Sequence, residues 1–298
     1  MIIGSHVSFG KDQLLGSAKM AVGYGANTFM FYTGAPQNTI RADINDNLID
    51  RAKEFMQENN IDINNVICHA PYIINLANKE KIESWNFSIT FLKNEISRIT
   101  KMGINYIVVH PGNALKLDKM TALANISEAI NYIIDENTLP MILIETMAGK
   151  GSECGVNLYE LKEIYNNINL KDKVGFCLDT CHLNDSGVDI AKFDDYLIEF
   201  DNEIGIDKIK CIHINDSKNI IGAHKDRHAN IGYGTIGFDN LINVIYNPKL
   251  KDVPKILETP YINDYPPYKF EIDMIMSKKF NANLEKSVVD YYKNGLNF

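Results

Sequence analysis

What this sequence of 298 residues lacks removes several classes of protein before any motif is read. Its opening, MIIGSHVSFGKDQLLG, has no basic segment followed by an apolar run, so no secretory leader is expected. No apolar stretch approaches the ~20 residues of a membrane-crossing helix, which predicts a cytoplasmic protein without a membrane partner. No CxxC pair occurs among Cys68, Cys154, Cys177, Cys181 and Cys211, and three of them lie inside apolar, strand-like runs. Reduced, buried thiols are expected rather than disulfides or a thiolate metal site. No strand-like run is followed by GxGxxG, and Gly149-Lys150-Gly151 lacks both the earlier glycine and the Ser/Thr of a phosphate-binding loop. An excess of positive charge is missing too. The 30 basic residues against 38 acidic leave −8, which by itself argues against a polyanionic partner.

What is present is a regular alternation. With 45% hydrophobic residues the chain can bury a full core, as one large α/β domain or two small ones, and disorder is not expected. No linker or shift in composition divides it, so residues 1–298 read as a single domain. Short runs rich in Ile, Val and Phe alternate with longer amphipathic stretches, the signal of repeated βα units. Strands are expected at Ile2–Val7, Ala26–Tyr32, Asn65–Ala70, Tyr106–Pro111, Met141–Thr146, Val174–Thr180, Ile209–Asn215 and Lys255–Pro260. Between them lie helical stretches such as Ile44–Asn59, Lys81–Met102 and Met120–Glu136. Eight such repeats predict a closed, single-domain (β/α)8 barrel of the TIM type rather than an open doubly wound sheet.

Ligand-type side chains collect where this pattern puts the strand ends. The stretch Ile209–Gly234 begins as a strand with Ile209, Cys211 and His213 on one face, and continues as a loop holding Asp216, His224, Asp226 and His228. Alone, it reads equally as a solvated polar loop with a capping aspartate or as part of a metal site. Asp226 and His228, two apart in an extended segment, would aim at one ion. The other strands break the tie. His69, His110, Glu145, Asp179, His213 and Glu258 close the third to eighth strands, each at the C-terminal end and each sharing a face with the residue two before it. In a barrel that face points to the axis, at the rim where such barrels carry their chemistry. One buried histidine is more often a satisfied core residue, but six polar groups converging without a cation would carry a heavy desolvation cost. His182, three residues after Asp179, points elsewhere in an extended or irregular turn and would serve a different ion, completed by Asp226 and His228. The set holds five of the seven histidines. Imidazole and carboxylate without thiolate suit Zn, or Mn or Fe, better than Ca or Mg. Three divalent ions add +6 and bring the formal −8 to about −2, focused in one cleft, so net charge does not exclude DNA.

Taken in order, GSHVS, TFMFYTGAPQN, HAPYIINLA, VVHPGN, IETMAGKGSECG, CLDTCH, HINDSK, KDRHANIGYG and LETP resemble endonuclease IV, the zinc-dependent apurinic/apyrimidinic (AP) endonuclease family of DNA base excision repair. The likeness covers nearly the whole chain, and the last four motifs are highly specific in combination. It implies a TIM-type barrel holding three zinc ions: one on His69, His110 and Glu145, a second on Glu145, Asp179, His213 and Glu258, a third on His182, Asp226 and His228. It implies incision 5′ of an abasic sugar, leaving a 3′-hydroxyl and a 5′-deoxyribose phosphate, together with 3′-end phosphodiesterase activity. Glu145, shared by two ions, is the residue expected to position or deprotonate the attacking water. The implied partner is double-stranded DNA carrying abasic sites or blocked 3′ ends, met by a monomer working at the nucleoid in the cytoplasm.

For DNA contacts, Tyr72 and Ile73 are placed to wedge into the base stack as an abasic nucleotide is flipped out, or else to pack on the barrel top. The loop Thr33–Asn38 resembles the family's minor-groove loop, with Gln37 where some members carry a basic wedge. Lys150, Lys218, Lys225 and Arg227 are candidate phosphate contacts, though each also reads as a solvated charge. His6 is expected to hydrogen-bond at the barrel top, and His224 has no assigned metal. Thr146 and Thr259, each following a glutamate ligand, are placed to orient it, or simply end a strand. The segment after Tyr265 reads as a peripheral helix without chemistry. The competing readings are a sugar isomerase or epimerase with one or two ions, a lesion-binding protein without catalysis, and an amidohydrolase, whose paired histidines after the first strand are absent.

Overall fold

The alternation closes on itself. In the computed structural model, which describes residues 1–295, the elements run β1 (Ile3–His6), α1 (Gln13–Gly23), β2 (Thr28–Phe31), α2 (Asp46–Glu58), β3 (Ile67–His69), α3 (Ile82–Met102), β4 (Tyr106–Val109), α4 (Lys119–Ile133), β5 (Met141–Glu145), α5 (Leu158–Asn166), β6 (Val174–Asp179), α6 (Thr180–Ser186), α7 (Phe193–Glu203) and β7 (Ile209–Ile214). The chain continues with β8 (Asp216–Ser217), β9 (His228–Ala229), α8 (Phe238–Ile245), β10 (Lys255–Leu257), α9 (Tyr268–Ser277) and α10 (Leu284–Lys293). The last three residues of the expected domain 1–298 lie outside those described. Eight parallel strands form one closed barrel in the order β1-β10-β7-β6-β5-β4-β3-β2, while β8 and β9 make an antiparallel ribbon within the loop after β7. This is the TIM-type barrel that the repeats predict.

The expected strands are all present but shorter at their ends. His110 and Glu258 therefore stand one residue past β4 and β10 rather than closing them. Local chemistry trims the helices as well. Asn45 caps α2 by accepting from Leu48 N–H, Asp118 caps α4 by accepting from Thr121 N–H, and Gly103 ends α3 in the left-handed conformation.

Parity sets the core. Met30, Ile67, Val108, Leu143, Cys177, Cys211 and Ile256 form one fully buried layer inside the barrel, and six of them sit two residues before a candidate ligand. The β1 position at this level is Gly4, where a Cβ would lie 1.9 Å from the Thr28 carbonyl oxygen. All five cysteines are free and buried. Among the described residues, no helix is long and apolar enough to cross a membrane. The segment after Tyr265 differs from expectation: it holds two helices, not one, and α9 packs against β1 rather than lying idle.

Candidate metal centre

Glu145 lies at the middle of the rim. Fully buried at the end of β5, it directs Oε2 to His69 Nε2 and His110 Nε2, both at 3.0 Å, and Oε1 to His213 Nδ1 at 3.0 Å and His182 Nδ1 at 3.4 Å. Each imidazole is held by a backbone carbonyl or faces a carboxylate. His69 Nδ1 donates to the Ala70 carbonyl at 2.7 Å, His182 Nδ1 to Thr146 at 2.8 Å and His228 Nδ1 to Glu258 at 3.2 Å, which leaves Nε2 of each ring aimed into the cluster. His213 Nδ1 lies 3.0 Å from Glu258 Oε2 and 3.8 Å from Asp179 Oδ2. Asn215, directly after β7, joins the two neighbouring strand ends: its amide donates to Asp179 Oδ2 at 2.7 Å and its carbonyl oxygen accepts from Glu258 N–H at 2.9 Å.

His182 is reached differently from the sequence expectation. It stands in the first turn of α6, not in an extended segment, because Asp179 caps that helix by accepting from His182 N–H at 2.8 Å. Asp226 is not extended either. At φ 55° it adopts the left-handed conformation, pinned by its N–H donating to Asp185 Oδ2 at 2.9 Å. The outcome is nevertheless convergence: Asp226 Oδ1 lies 3.2 Å from His182 Nε2 and 3.4 Å from His228 Nε2.

Five groups of donor atoms lie within 4.8 Å of one another among the described residues: three use imidazole and carboxylate alone, His69, His110 and Glu145; Glu145, Asp179, His213 and Glu258; His182, Asp226 and His228; the other two bring in a buried thiol, Cys177 and Cys211 with His213, and Cys181 with Asp179 and His228. The donor chemistry suits a divalent cation such as zinc. Among the described residues, Nε2 of His228 is buried without a hydrogen-bond partner, as expected where the partner is an ion. The electrostatics agree. Burial opposes charge on every group, yet Glu145 raises His110, Asp179 and Asp226 raise His182, and Glu258 and Glu145, with the Cys177 thiol, raise His213. In return the imidazoles hold Glu145, Glu258 and Asp226 below the usual carboxylate range despite their burial. Positive charge is demanded at this rim, and cations meet that demand as protons do.

Beside the donor groups, Thr146 and Thr259 depart from their sequence roles, while Asp216, His6 and His224 do structural work. Asp216 is no ligand: its carboxylate accepts from the N–H groups of Ser217, Gly232, Gly234, Ile236 and Gly237 and staples the loop. Thr146 does not orient Glu145. Its hydroxyl accepts from Asp179 N–H at 2.9 Å while its carbonyl holds His182. The Thr259 hydroxyl donates to Glu271 rather than to Glu258. His6 Nε2 is buried without a hydrogen-bond partner among the described residues, the ring meets Tyr32 edge-on at 4.9 Å, and burial pushes the imidazole down to about 4. His224 takes no part in the donor groups. It packs at Gly149, where a Cβ would lie 2.6 Å from its Nδ1, and Nδ1 donates to the Ala148 carbonyl at 3.0 Å.

The other expected contacts lie on exposed rim loops. Tyr72 is 54% exposed beside a half-buried Ile73, and Gln37, Lys150, Lys218, Lys225 and Arg227 are all exposed. Lys218 and Arg227 face each other across the β8–β9 ribbon, where Lys218 N–H donates to the Arg227 carbonyl. The loop carrying Gln37 is braced by Arg41, which sequence reasoning passed over. Arg41 Nε lies 2.8 Å from Glu95 Oε1, and its Nη1 donates to the carbonyls of Ala35, Asn38 and Ile40. A signal existed: Glu95 is a charge on the apolar face of α3, among Phe91, Leu92, Ile96 and Ile99.

Known proteins supply an independent comparison. A family model described as a xylose isomerase-like TIM barrel matches residues 18–278. A Bacillus subtilis (strain 168) protein named "probable endonuclease 4" is 49% identical over 294 residues, covering 96% of this chain and 98% of its own. The chain belongs to the endonuclease IV family. Endonuclease IV enzymes are metal-dependent and act on DNA. The crystal structure of endonuclease IV from Thermus thermophilus superposes with a TM-score of 0.79 at 25% identity, covering 93% of this chain and 98% of that one. A D-psicose 3-epimerase crystallised with D-fructose shares the fold alone, at a TM-score of 0.60 and 13% identity over 97% of this chain and 95% of its own.

Proposed function

We propose that this endonuclease IV-family enzyme is a monomeric DNA-repair nuclease of 298 residues in one domain. It hydrolyses the phosphodiester 5′ of an abasic site in duplex DNA, leaving a 3′-hydroxyl and a 5′-deoxyribose phosphate, and trims blocked 3′ ends at the same centre. Three zinc ions would be held by the three groups of imidazole and carboxylate donors, on His69, His110 and Glu145, on Glu145, Asp179, His213 and Glu258, and on His182, Asp226 and His228. The observation that carries this reading is the sharing of Glu145, whose two oxygens face two different donor groups. Ions bound there would supply a water of near-neutral pKa and would neutralise phosphoryl charge.

The chain's own groups do the rest. Glu145, ionised even when buried, is an acceptor that orients the attacking water. Asn215 and Thr146 hold Asp179 and Glu258 at fixed positions, so little reorganisation accompanies reaction. Tyr72 and Ile73 occupy the stack when the abasic nucleotide leaves it, Gln37 enters the minor groove on the loop that Arg41 braces, and Lys150, Lys218, Lys225 and Arg227 hold phosphates. A sugar epimerase would share the barrel but has no use for a third group built from His182, Asp226 and His228.

The test is incision of a labelled duplex containing one stable abasic analogue, with the His69→Ala, Asp179→Ala double variant beside the zinc-loaded enzyme. The expected result is a single cut immediately 5′ of the lesion, lost in the variant. No cut by protein shown to hold three zinc ions would overturn the reading.

A further inference from the structure

Glu271 is a fully buried carboxylate that the metal centre does not use. It lies on α9, in the segment that the sequence presents as peripheral. Three donors from two other places in the chain converge on it. Its Oε1 accepts from the Asn230 side-chain amide at 3.1 Å and from Ile231 N–H at 3.0 Å, and its Oε2 accepts from the Thr259 hydroxyl. Asn230 and Ile231 follow His228 by two and three residues, and Thr259 follows Glu258 directly. The same two segments are tied twice more, by the Asn230 amide donating to the Pro260 carbonyl at 3.0 Å and by His228 Nδ1 donating to the Glu258 carbonyl.

We propose that Glu271 is a positioning residue for the third donor group: it locks the His228 loop to the end of β10 so that His228 Nε2 faces Asp226 and His182, without itself touching metal or DNA. The proposal rests on the three-zinc reading above. A carboxylate fits the task because three donors meet at one point, and an apolar side chain there would leave them unpaired. Glutamine satisfies the same arrangement. Its oxygen accepts from Ile231 and Asn230, and its amide donates to the Thr259 hydroxyl, which can rotate to receive it.

The experiment counts zinc in the purified holoenzyme and follows its release to a chromogenic chelator. Wild type is expected to hold three ions. Glu271→Ala should release one of them about 10- to 100-fold faster and keep the other two at wild-type rates, the usual cost of losing a group that orients a ligand. Glu271→Gln should restore wild-type release. His228→Ala should loosen the same single ion, and adding Glu271→Ala to it should change nothing further. Equal loosening of all three ions in Glu271→Ala, or unchanged release, would overturn the proposal. Should that variant be insoluble, Asn230→Ala serves in its place, with selective loosening of about tenfold expected and uniform or absent loosening counting against it. A wild-type count below three would overturn the zinc reading itself, whatever the variants do.

Discussion

The rim is built in two ways. His69, His110, Glu145, Asp179, His213 and Glu258 stand within one residue of strand ends, and barrel register brings them together: Asp179 is paired directly with His213, and Glu145 neighbours Cys177. Asp226 and His228 stand on a long loop that no barrel strand fixes. Their placement depends on three buried carboxylates that ligate nothing. Asp185 holds Asp226 N–H together with Ser217 and Asn219, Asp216 gathers five backbone N–H groups, and Glu271 ties down the chain after His228. A closed barrel therefore brings two donor groups together from its own geometry, whereas the third group needs a dedicated scaffold of acceptors.

The sharpest way to break this comparison is at the residue common to two strand-borne groups. Glu145→Gln keeps the shape but removes the charge that four imidazoles face. Incision is expected to fall by at least about 10³-fold, equivalent to roughly 4 kcal/mol of barrier. Binding to abasic DNA, measured by fluorescence anisotropy at fixed salt, should stay within about threefold, because phosphate contacts lie on other loops. Turnover retained by this variant would remove Glu145 from its role with the attacking water.

A cut through the loop scaffold should have a smaller, local effect. Asp216→Ala strips the acceptor from five backbone N–H groups without touching a donor to metal. We expect a loss of about 1–3 kcal/mol in urea denaturation, with incision reduced less than in Glu145→Gln. If instead the two variants were equally inactive, the loop group would be no less central than the strand group, and the distinction between them would fail.

The same division explains what could be read in the sequence. The convergence of strand-end donors was legible because the two-residue period of a strand puts Ile67 with His69, Leu143 with Glu145 and Cys211 with His213, and the inner layer of the barrel has that composition. Asp226 and His228 could be paired by spacing, but their conformation could not, since φ at Asp226 is set by Asp185, 41 residues earlier. Thr146 and Thr259 misled for a related reason. Adjacency to a glutamate suggested that they serve it, while the folded chain presents them with closer partners in Asp179 and Glu271. Arg41, Asp185 and Glu271 act through partners distant in sequence, and only a charge on an apolar helix face, as at Glu95, announces such a residue in advance.

The smallest expected effect isolates the loop scaffold by pH. Burial pushes the Glu271 carboxyl up to about 7 from its ordinary 4.5, against the pull of the Thr259 hydroxyl, Ile231 N–H and Asn230 amide, with Tyr268 the neighbouring titratable group. A folded state that holds this proton more tightly than the unfolded chain gains stability that is complete below the unfolded value and is lost as pH rises through about 7. Glutamine cannot titrate there. Between about pH 6 and pH 8 the stability of Glu271→Gln relative to wild type should therefore improve by about 1.4 kcal/mol, read from urea midpoints with zinc in excess, so that ligand protonation is common to both proteins and cancels. A relative stability that does not change across that interval would mean that the carboxyl ionises elsewhere, and that the loop is held by an acceptor already charged at neutral pH, as the strand-borne group is at Glu145.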